Sequence, residues 1–446
     1  MAEVAPFRGL RYNPEKVPNM AEVVIPPYDV ISPEEQKFYH GLNPYNMVRL
    51  ELGETFSGDS ESDNPHTRAA RYLSQWQSEG ALIRDRLPTI YYHELDYSLA
   101  PGVRLTRYGF ICALKLEDFS AGGVRPHEKT FSAVKAERLG LMTATHANLS
   151  SVFSLYSDPD ESVDRTLKAA REKEPVMAFT DKHGMEHRMW RVSDPEALRK
   201  VERLMRDRAI FIADGHHRYE TALGYRNLQR ERHKDASPRA SFEYIMMYLS
   251  NLNQEGLTIL PTHRLLRNLG AWEPEAVMKK AEPFFEILRF DANDERRWRA
   301  ELEAGAAEKQ NTIGCLAGTD REFWLLKTKP EAVSSYLTDR SIPALLHGLD
   351  VVVLDQVLLR GTLGLPDAFL GDGNNIHFRH DASEAILGVR SGAYEAAFVI
   401  NSTRIEQVQD VASAGLVMPH KSTYFYPKVG SGMVVHLLDP TEEDGI

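Results

Sequence analysis

Ala209-Ile210-Phe211-Ile212-Ala213-Asp214-Gly215-His216-His217-Arg218-Tyr219-Glu220-Thr221-Ala222-Leu223 reads as a buried strand, a tight turn and the start of a helix. The apolar run 209–213 stops at Asp-Gly, and Tyr219, Leu223, Tyr225 and Leu228 then follow at roughly helical spacing. A helix start gathers unpaired backbone N–H groups and the positive end of the helix dipole, so it stabilises an anion. Here the junction also carries a carboxylate, two imidazoles and a guanidinium. A plainer reading has Asp214 or His216 only satisfying backbone groups at a capped turn.

The segments on either side alternate strand and helix. Residues 89–98 and 107–116 read as strands of a hairpin around Ala100-Pro101-Gly102, residues 135–148 as a helix, and 152–156 as a central strand. A charged helix over 161–174, a hairpin around Lys182-His183-Gly184 and a helix over 195–208 lead into the junction. Beyond it come strands over 242–251 and 256–264, then a charge-rich alternation of helix and strand over 273–333, and a buried helix over 350–360 ended by Gly361. The pattern predicts a mixed α/β chain. The composition shifts near 270, so the expected domains are 1–270 and 271–446.

With 446 residues, 42% of them hydrophobic, the chain can bury large cores. It has no apolar run of about 18 residues and no leader-like N-terminus, so the expected setting is the cytoplasm, without membrane partners. Cys112 and Cys315 are too few for a disulfide framework and sit in apolar runs. The net charge of −11 argues against a nucleic-acid partner held by a basic surface, but not against a small anion in a local basic pocket. Nothing in the sequence fixes the oligomeric state.

The common phosphate loops, dinucleotide fingerprints, nucleophile elbows and zinc-protease motifs are absent. A second loaded loop, Arg125-Pro126-His127-Glu128-Lys129-Thr130, follows Gly122-Gly123. If it meets the Asp214–Arg218 loop, the pair offers a carboxylate to take a proton from an alcohol and cations to neutralise a phosphoryl group. Taken alone, it is a solvated loop with a salt bridge. Thr262-His263-Arg264 at a strand end and Lys421-Ser422-Thr423 with Lys428 are further anion-binding candidates, and these cations would suit clamps over the site. Their plainer roles are a capping turn and an amphipathic strand with Tyr424 and Tyr426 on one face and Phe425 on the other. Asp214 with His216 or His217 is also a candidate metal set, as in a metal-dependent hydrolase or phosphatase.

Six stretches together resemble the domain-of-unknown-function family numbered 1015: Pro6-Phe7-Arg8-Gly9-Leu10-Arg11, Pro26-Pro27-Tyr28-Asp29-Val30, the Arg125–Thr130 loop, Phe211 to Tyr219, Leu260-Pro261-Thr262-His263-Arg264, and Met418 to Lys428. The order His127-Glu128, strand, then Asp214-Gly215-His216-His217-Arg218 opening a helix is similar to free serine kinases of the ParB-like and sulfiredoxin superfamily. That resemblance implies a ParB/sulfiredoxin-like phosphate-binding core with a large additional α/β region. It implies a small-molecule phosphotransferase, with free L-serine as acceptor, O-phosphoserine as product, a nucleotide or pyrophosphate as donor, and Mg2+. Glu128 would then be the base, Asp214 would position the hydroxyl or hold the Mg2+, and His217 would act on the transferring phosphate. The phosphate and substrate would be bound by His127, Lys129, Gly215, His216, Arg218, Arg264, Lys421, Ser422 and Thr423. The long 161–208 insertion between the motifs departs from the compact kinases. The superfamily also holds DNA-binding, nuclease and redox members, which keeps a non-catalytic phosphate sensor or nucleic-acid-associated protein as an alternative.

Overall fold

The computed structural model describes residues 2–128, 130, 132–270, 273–317, 322–419 and 421–445. The chain is mixed α/β and gathers into two compact units. The first is Met1–Pro126 with Thr130–Thr258 and Pro427–Ile446; the second is His127–Lys129 with Ile259–Tyr426. The crossing falls at 258–259, where the composition shift pointed to about 270, and the last stretch returns to the first unit. Backbone pairing accounts for the return: His436–Leu437 pairs antiparallel with Ala147–Asn148, and Val435 bridges to Leu10.

The first unit is built on a nine-stranded mixed sheet: β1 (Val4–Ala5), β2 (Ile90–Ala100), β3 (Val103–Lys115), β4 (Val124–Arg125), β5 (Val152–Tyr156), β6 (Met177–Thr180), β7 (Glu186–Val192), β8 (Ile210–Asp214) and β9 (Tyr244–Asn251). Their spatial order is β4-β8-β5-β9-β3-β2-β7-β6, with β1 beside β3. The predicted hairpins are β2–β3 and β6–β7. The longer helices of this unit are α1 (Pro33–Leu42), α2 (Pro65–Ser78), α3 (Ser132–Thr145), α4 (Ser162–Ala170), α5 (Pro195–Met205) and α6 (His216–Arg232), and a four-residue helix, Val48–Glu51, also belongs to it.

Side chains alternate across the sheet. Tyr92, Phe110, Cys112, Leu114, Met247 and Leu249 share one core with Val163 and Leu167 of α4, Leu198, Val201 and Met205 of α5, and Tyr219, Ala222 and Tyr225 of α6. Spacings of three and four put these residues on one stripe of each helix. Asp194 accepts from Ala197 N at 2.8 Å and Pro195 opens α5, which fixes where that helix begins. Each fully buried Leu or Val contributes about 1.5–3 kcal/mol. The intervening residues Tyr91, His93, Arg107, Gly109, Tyr248 and Phe153 face the other way, and this second face holds buried polar groups. Tyr248 lies so close over Gly109 that a Cβ there would meet its ring at 2.4 Å.

The second unit carries a six-stranded antiparallel sheet in the order Phe285–Phe290, Glu322–Thr328, Thr312–Ala317, Ala396–Ile400, His263–Leu266, Ile376–Arg379. Trp298, Leu302, Phe323 and Val399 lie at its core. The helix expected over 350–360 begins at Asp350–Val352 and widens into a π-type helix over Val353–Thr362. Among the described residues no helix is long and apolar enough to cross a membrane.

Candidate functional site

β8 is buried over its first four residues and ends at Asp214, where its register against β5 slips between Ile212 and Asp214. Gly215 then turns the chain into α6 at φ +95°, a left-handed conformation that favours glycine. A Cβ on Gly215 would also stand 2.8 Å from Arg218 Nε. The missing side chain therefore lets Arg218 fold back one turn to the carboxylate it follows. Arg218 Nη2 donates to Asp214 Oδ2 at 2.7 Å, and Nη1 donates to the Ser151 carbonyl. Lys428 Nζ donates to Asp214 Oδ1 at 2.8 Å.

Asp214 thus has one cation on each oxygen. Burial alone would raise its carboxyl; Lys428 and Arg218 outweigh that and hold it well below the usual carboxylate range. Burial disfavours the Arg218 cation, but Asp214, then Tyr28, Asp29 and Glu51, push it up, so it stays charged. Burial raises the Tyr28 phenol to about 12 against the pull of Arg218 and Arg138. Gly215 places no side-chain cap on α6. His216 is buried on the first turn and His217 partly exposed. Glu220, one turn on, accepts from Thr130 Oγ1 at 2.9 Å and from Lys135 Nζ at 2.6 Å.

A small cavity of about 40 Å³ lies behind Arg218, lined in part by Glu51, Arg138, Asn148, Ser150 and Thr221. Ser150 Oγ donates to Glu51 Oε1 at 2.8 Å, and Arg138 Nη1 donates to the Glu51 carbonyl at 2.9 Å. Glu51 Oε2 and Thr221 Oγ1 are buried with no hydrogen-bond partner among the described residues. The cavity has the size and polarity for a few waters, which would satisfy those atoms and back the Arg218 side.

The other predicted residues sit in the second unit. His127 is buried, with Nε2 3.0 Å from Thr423 Oγ1, and its carbonyl accepts from Met418 N at 2.9 Å. Ser422 Oγ donates to the Pro419 carbonyl at 2.5 Å, and Thr403 Oγ1 donates to the Ser422 carbonyl at 2.7 Å. Arg264, expected as an anion clamp, is buried, and its guanidinium bonds to backbone: Nη2 donates to the Lys421 carbonyl at 3.0 Å and Nη1 to the Thr262 carbonyl, among its interactions. Burial brings its pKa down to about 10, and burial followed by Arg264 brings His263 down to about 3, leaving that imidazole neutral. Lys421 is exposed and Glu128 partly exposed. Lys129 lies outside the described residues. The structure therefore brings together Asp214, Gly215, His216, His217 and Arg218 in one unit, and His127, Arg264, Lys421, Ser422 and Thr423 in the other.

Among the described residues no three His, Cys, Asp or Glu side chains gather to hold a metal. Asp214, expected as a Mg2+ ligand, has both oxygens on cations, so this donor set does not fit a metal on Asp214. Sequence reasoning missed Glu51 and Arg138, which line the cavity beside Arg218 and sit in no recognisable motif.

Residues 4–352 match the family model described as a protein of unknown function, DUF1015. The chain belongs to the DUF1015 family. The match takes in Asp214–Arg218 and Arg107 of this DUF1015 chain, while Lys428 and residues 421–423 lie beyond it. No curated protein matches the DUF1015 chain. Solved structures similar to it include a free serine kinase mutant in complex with AMP, at 11% identity and TM-score 0.33, covering 71% of this chain and 87% of that one. A conserved hypothetical protein from Pyrococcus furiosus is similar at 10% identity and TM-score 0.33, covering 74% and 95%. SbnI with a C-terminal truncation, from Staphylococcus aureus, is similar at 10% identity and TM-score 0.33, covering 72% and 84%.

Proposed function

We propose that this DUF1015 protein is a small-molecule phosphotransferase that moves a phosphoryl group from a nucleotide or pyrophosphate donor to the hydroxyl of free L-serine, giving O-phosphoserine. The observation that carries the reading is the Gly215 turn, which opens α6 beside the two cations, Arg218 and Lys428, gathered on Asp214. A phosphoryl group needs positioning and charge neutralisation more than covalent help, and that cluster supplies both.

In this scheme the helix N-terminus, Arg218 and His216 bind phosphate oxygens, and His217 contacts the transferring group. Glu128 takes the proton from the serine hydroxyl as the new P–O bond forms and the donor's bridging P–O bond breaks. His127, Lys129, Lys421, Ser422 and Thr423 are proposed on the substrate side, Arg264 acting there by shaping backbone. The Mg2+ expected with such a donor would travel on its phosphates. Glu128→Gln should lower turnover by at least about a hundredfold, the scale of general base catalysis, in a chain that still unfolds cooperatively. Undiminished turnover in that variant would remove the base.

The double engagement of Asp214 favours a second reading, a phosphate-ligand sensor with no turnover. Donor binding by calorimetry, without product in the presence of any hydroxyl acceptor, would select it.

A further inference from the structure

A hydrogen-bonded chain of ionisable side chains crosses the second face of the nine-stranded sheet and takes no part in the proposed transfer. Its outer end is Asp181, half-buried at the β6–β7 turn. Asp181 Oδ1 accepts from the His183 and Met185 backbone N–H groups at 2.8 and 3.0 Å, and Oδ2 lies 3.5 Å from His187 Nε2. His187 Nδ1 lies 3.3 Å from His93 Nε2, and His93 Nδ1 lies 3.3 Å from the Tyr248 hydroxyl. His93, His187, Tyr248 and Arg107 are all buried, and the Phe179 ring stacks on His187 at 4.5 Å. Burial raises the Tyr248 phenol, and Arg107 draws it back by its charge and a hydrogen bond. Arg107 Nη1 in turn donates to the Pro427 carbonyl. The next residue, Lys428, donates to Asp214 at 2.8 Å.

The partners fix the direction of this chain. Burial would raise the Asp181 carboxyl, but His187 and the two amides hold it below the usual carboxylate range, so it accepts. His187 therefore carries its proton on Nε2, and its Nδ1 accepts from His93 Nε2. His93 Nδ1 then accepts from the Tyr248 hydroxyl, whose oxygen accepts from Arg107, so every donor points from Arg107 towards Asp181. A proton added to His187 would put N–H on both of its nitrogens, and two N–H groups cannot share the His187–His93 contact. Burial, then His187 and Arg107, keep His93 far below the usual imidazole range, so it stays neutral and its one proton moves to Nδ1. The Tyr248 oxygen must then accept from His93, which turns its own hydrogen onto Arg107. The other charged groups here have partners of their own: Lys182 donates to Glu35 at 2.8 Å beside Tyr39 and the exposed His183, and Arg191, on the same side of β7, pairs with Asp85 at 3.0 Å.

We propose that the His93–His187 pair is a proton-sensitive relay that regulates the phosphate site. With His187 neutral, the chain holds Arg107 on the Pro427 carbonyl and so sets Lys428 on Asp214; a proton on His187 reverses the chain and loosens that hold. Arg107, Tyr248, His93, His187 and Asp181 are positioning residues, acting on the site through Pro427 and Lys428. The regulation rests on the reading of the Asp214–Arg218 junction as a phosphate site, whereas the relay itself does not. Anion binding at the junction then weakens as pH falls, in step with the proton on His187.

The test uses the full chain and two variants. His187→Gln puts in an amide that can still donate to Asp181 and accept from His93 but takes up no proton; Tyr248→Phe removes the link to Arg107 and keeps the ring. Between about pH 8 and about pH 5.5, nitrogen NMR of isotope-labelled histidines in wild type should show His187 becoming imidazolium and His93 changing from the Nε2–H to the Nδ1–H form. Over the same range, amide hydrogen exchange of residues 429–435, corrected for its intrinsic pH dependence, should speed up in wild type. It should stay slow in His187→Gln and be fast throughout in Tyr248→Phe. By calorimetry, wild type should bind inorganic pyrophosphate as His187→Gln does at the upper pH and about fivefold or more weakly at the lower; the ligand's own ionisation cancels in that ratio. If one variant fails to fold, wild type and the other decide. A His93 tautomer that does not change, or exchange in wild type that follows His187→Gln at every pH, overturns the relay. Equal pyrophosphate affinities of wild type and His187→Gln at both pH values overturn the regulation. A wild type that shows the tautomer and exchange changes but binds no pyrophosphate overturns the phosphate reading of the junction and the regulation with it, and leaves the relay standing.

Discussion

Both oxygens of Asp214 are bonded to cations, Arg218 on one side and Lys428 on the other, so the fate of this carboxylate decides the charge of the whole junction. Its carboxyl ionises at lower pH in the folded chain than in the unfolded one. The stability it contributes is therefore present above its unfolded pKa of about 3.9 and is lost as pH falls through the lower folded value. Asp214→Asn should destabilise the first unit by about 2–4 kcal/mol at pH 7, because two largely buried cations lose their partner. Urea melts should show that difference shrinking as pH drops below about 4. A difference that does not change with pH would mean that packing, not charge, is what Asp214 supplies. At this scale, Asp214 to Arg218 were legible because their residue types crowd one turn. Glu51 and Arg138 were not: they reach the surroundings of Arg218 from distant stretches that carry no motif.

The strand–turn–helix element depends on Gly215 twice, for its positive φ and for the 2.8 Å gap to Arg218 Nε. Gly215→Ala should cost about 1–3 kcal/mol in conformational strain, read as a drop of several degrees in Tm, and should weaken pyrophosphate binding by displacing Arg218. Wild-type binding in that variant would show that Arg218 tolerates the shift. Elements of this kind were readable from the abrupt end of an apolar run, and the β2–β3 hairpin and α5 were readable from their own patterns. The π-type widening at Val353–Thr362 was not, because ten residues of apolar pattern do not separate 3.6 residues per turn from a wider helix. Gly361 there leaves room for Tyr336, whose hydroxyl would meet a Cβ at 2.2 Å, and so has a packing role inside an element the sequence had it terminate.

Across the whole molecule, the final segment Pro427–Ile446 completes the first unit: it brings Lys428 to Asp214, pairs His436–Leu437 with Ala147–Asn148, and bridges Val435 to Leu10. A chain ending at Tyr426 should lose the cooperative unfolding transition of the first unit, measured by calorimetry. A truncated chain that melts like wild type would make the tail dispensable. Pairing between positions nearly three hundred residues apart leaves no local signature, which is why composition pointed to a boundary near 270 and the fold crosses at 258–259. The central claim, phosphoryl transfer to a small alcohol, is tested most directly by phosphorus NMR of the purified full chain. The samples would contain Mg2+, ATP, ADP or pyrophosphate, and L-serine. The account predicts a phosphoserine resonance that requires both one donor and serine and is missing with Glu128→Gln. An unchanged donor spectrum, from folded protein shown by calorimetry to bind that donor, would contradict it.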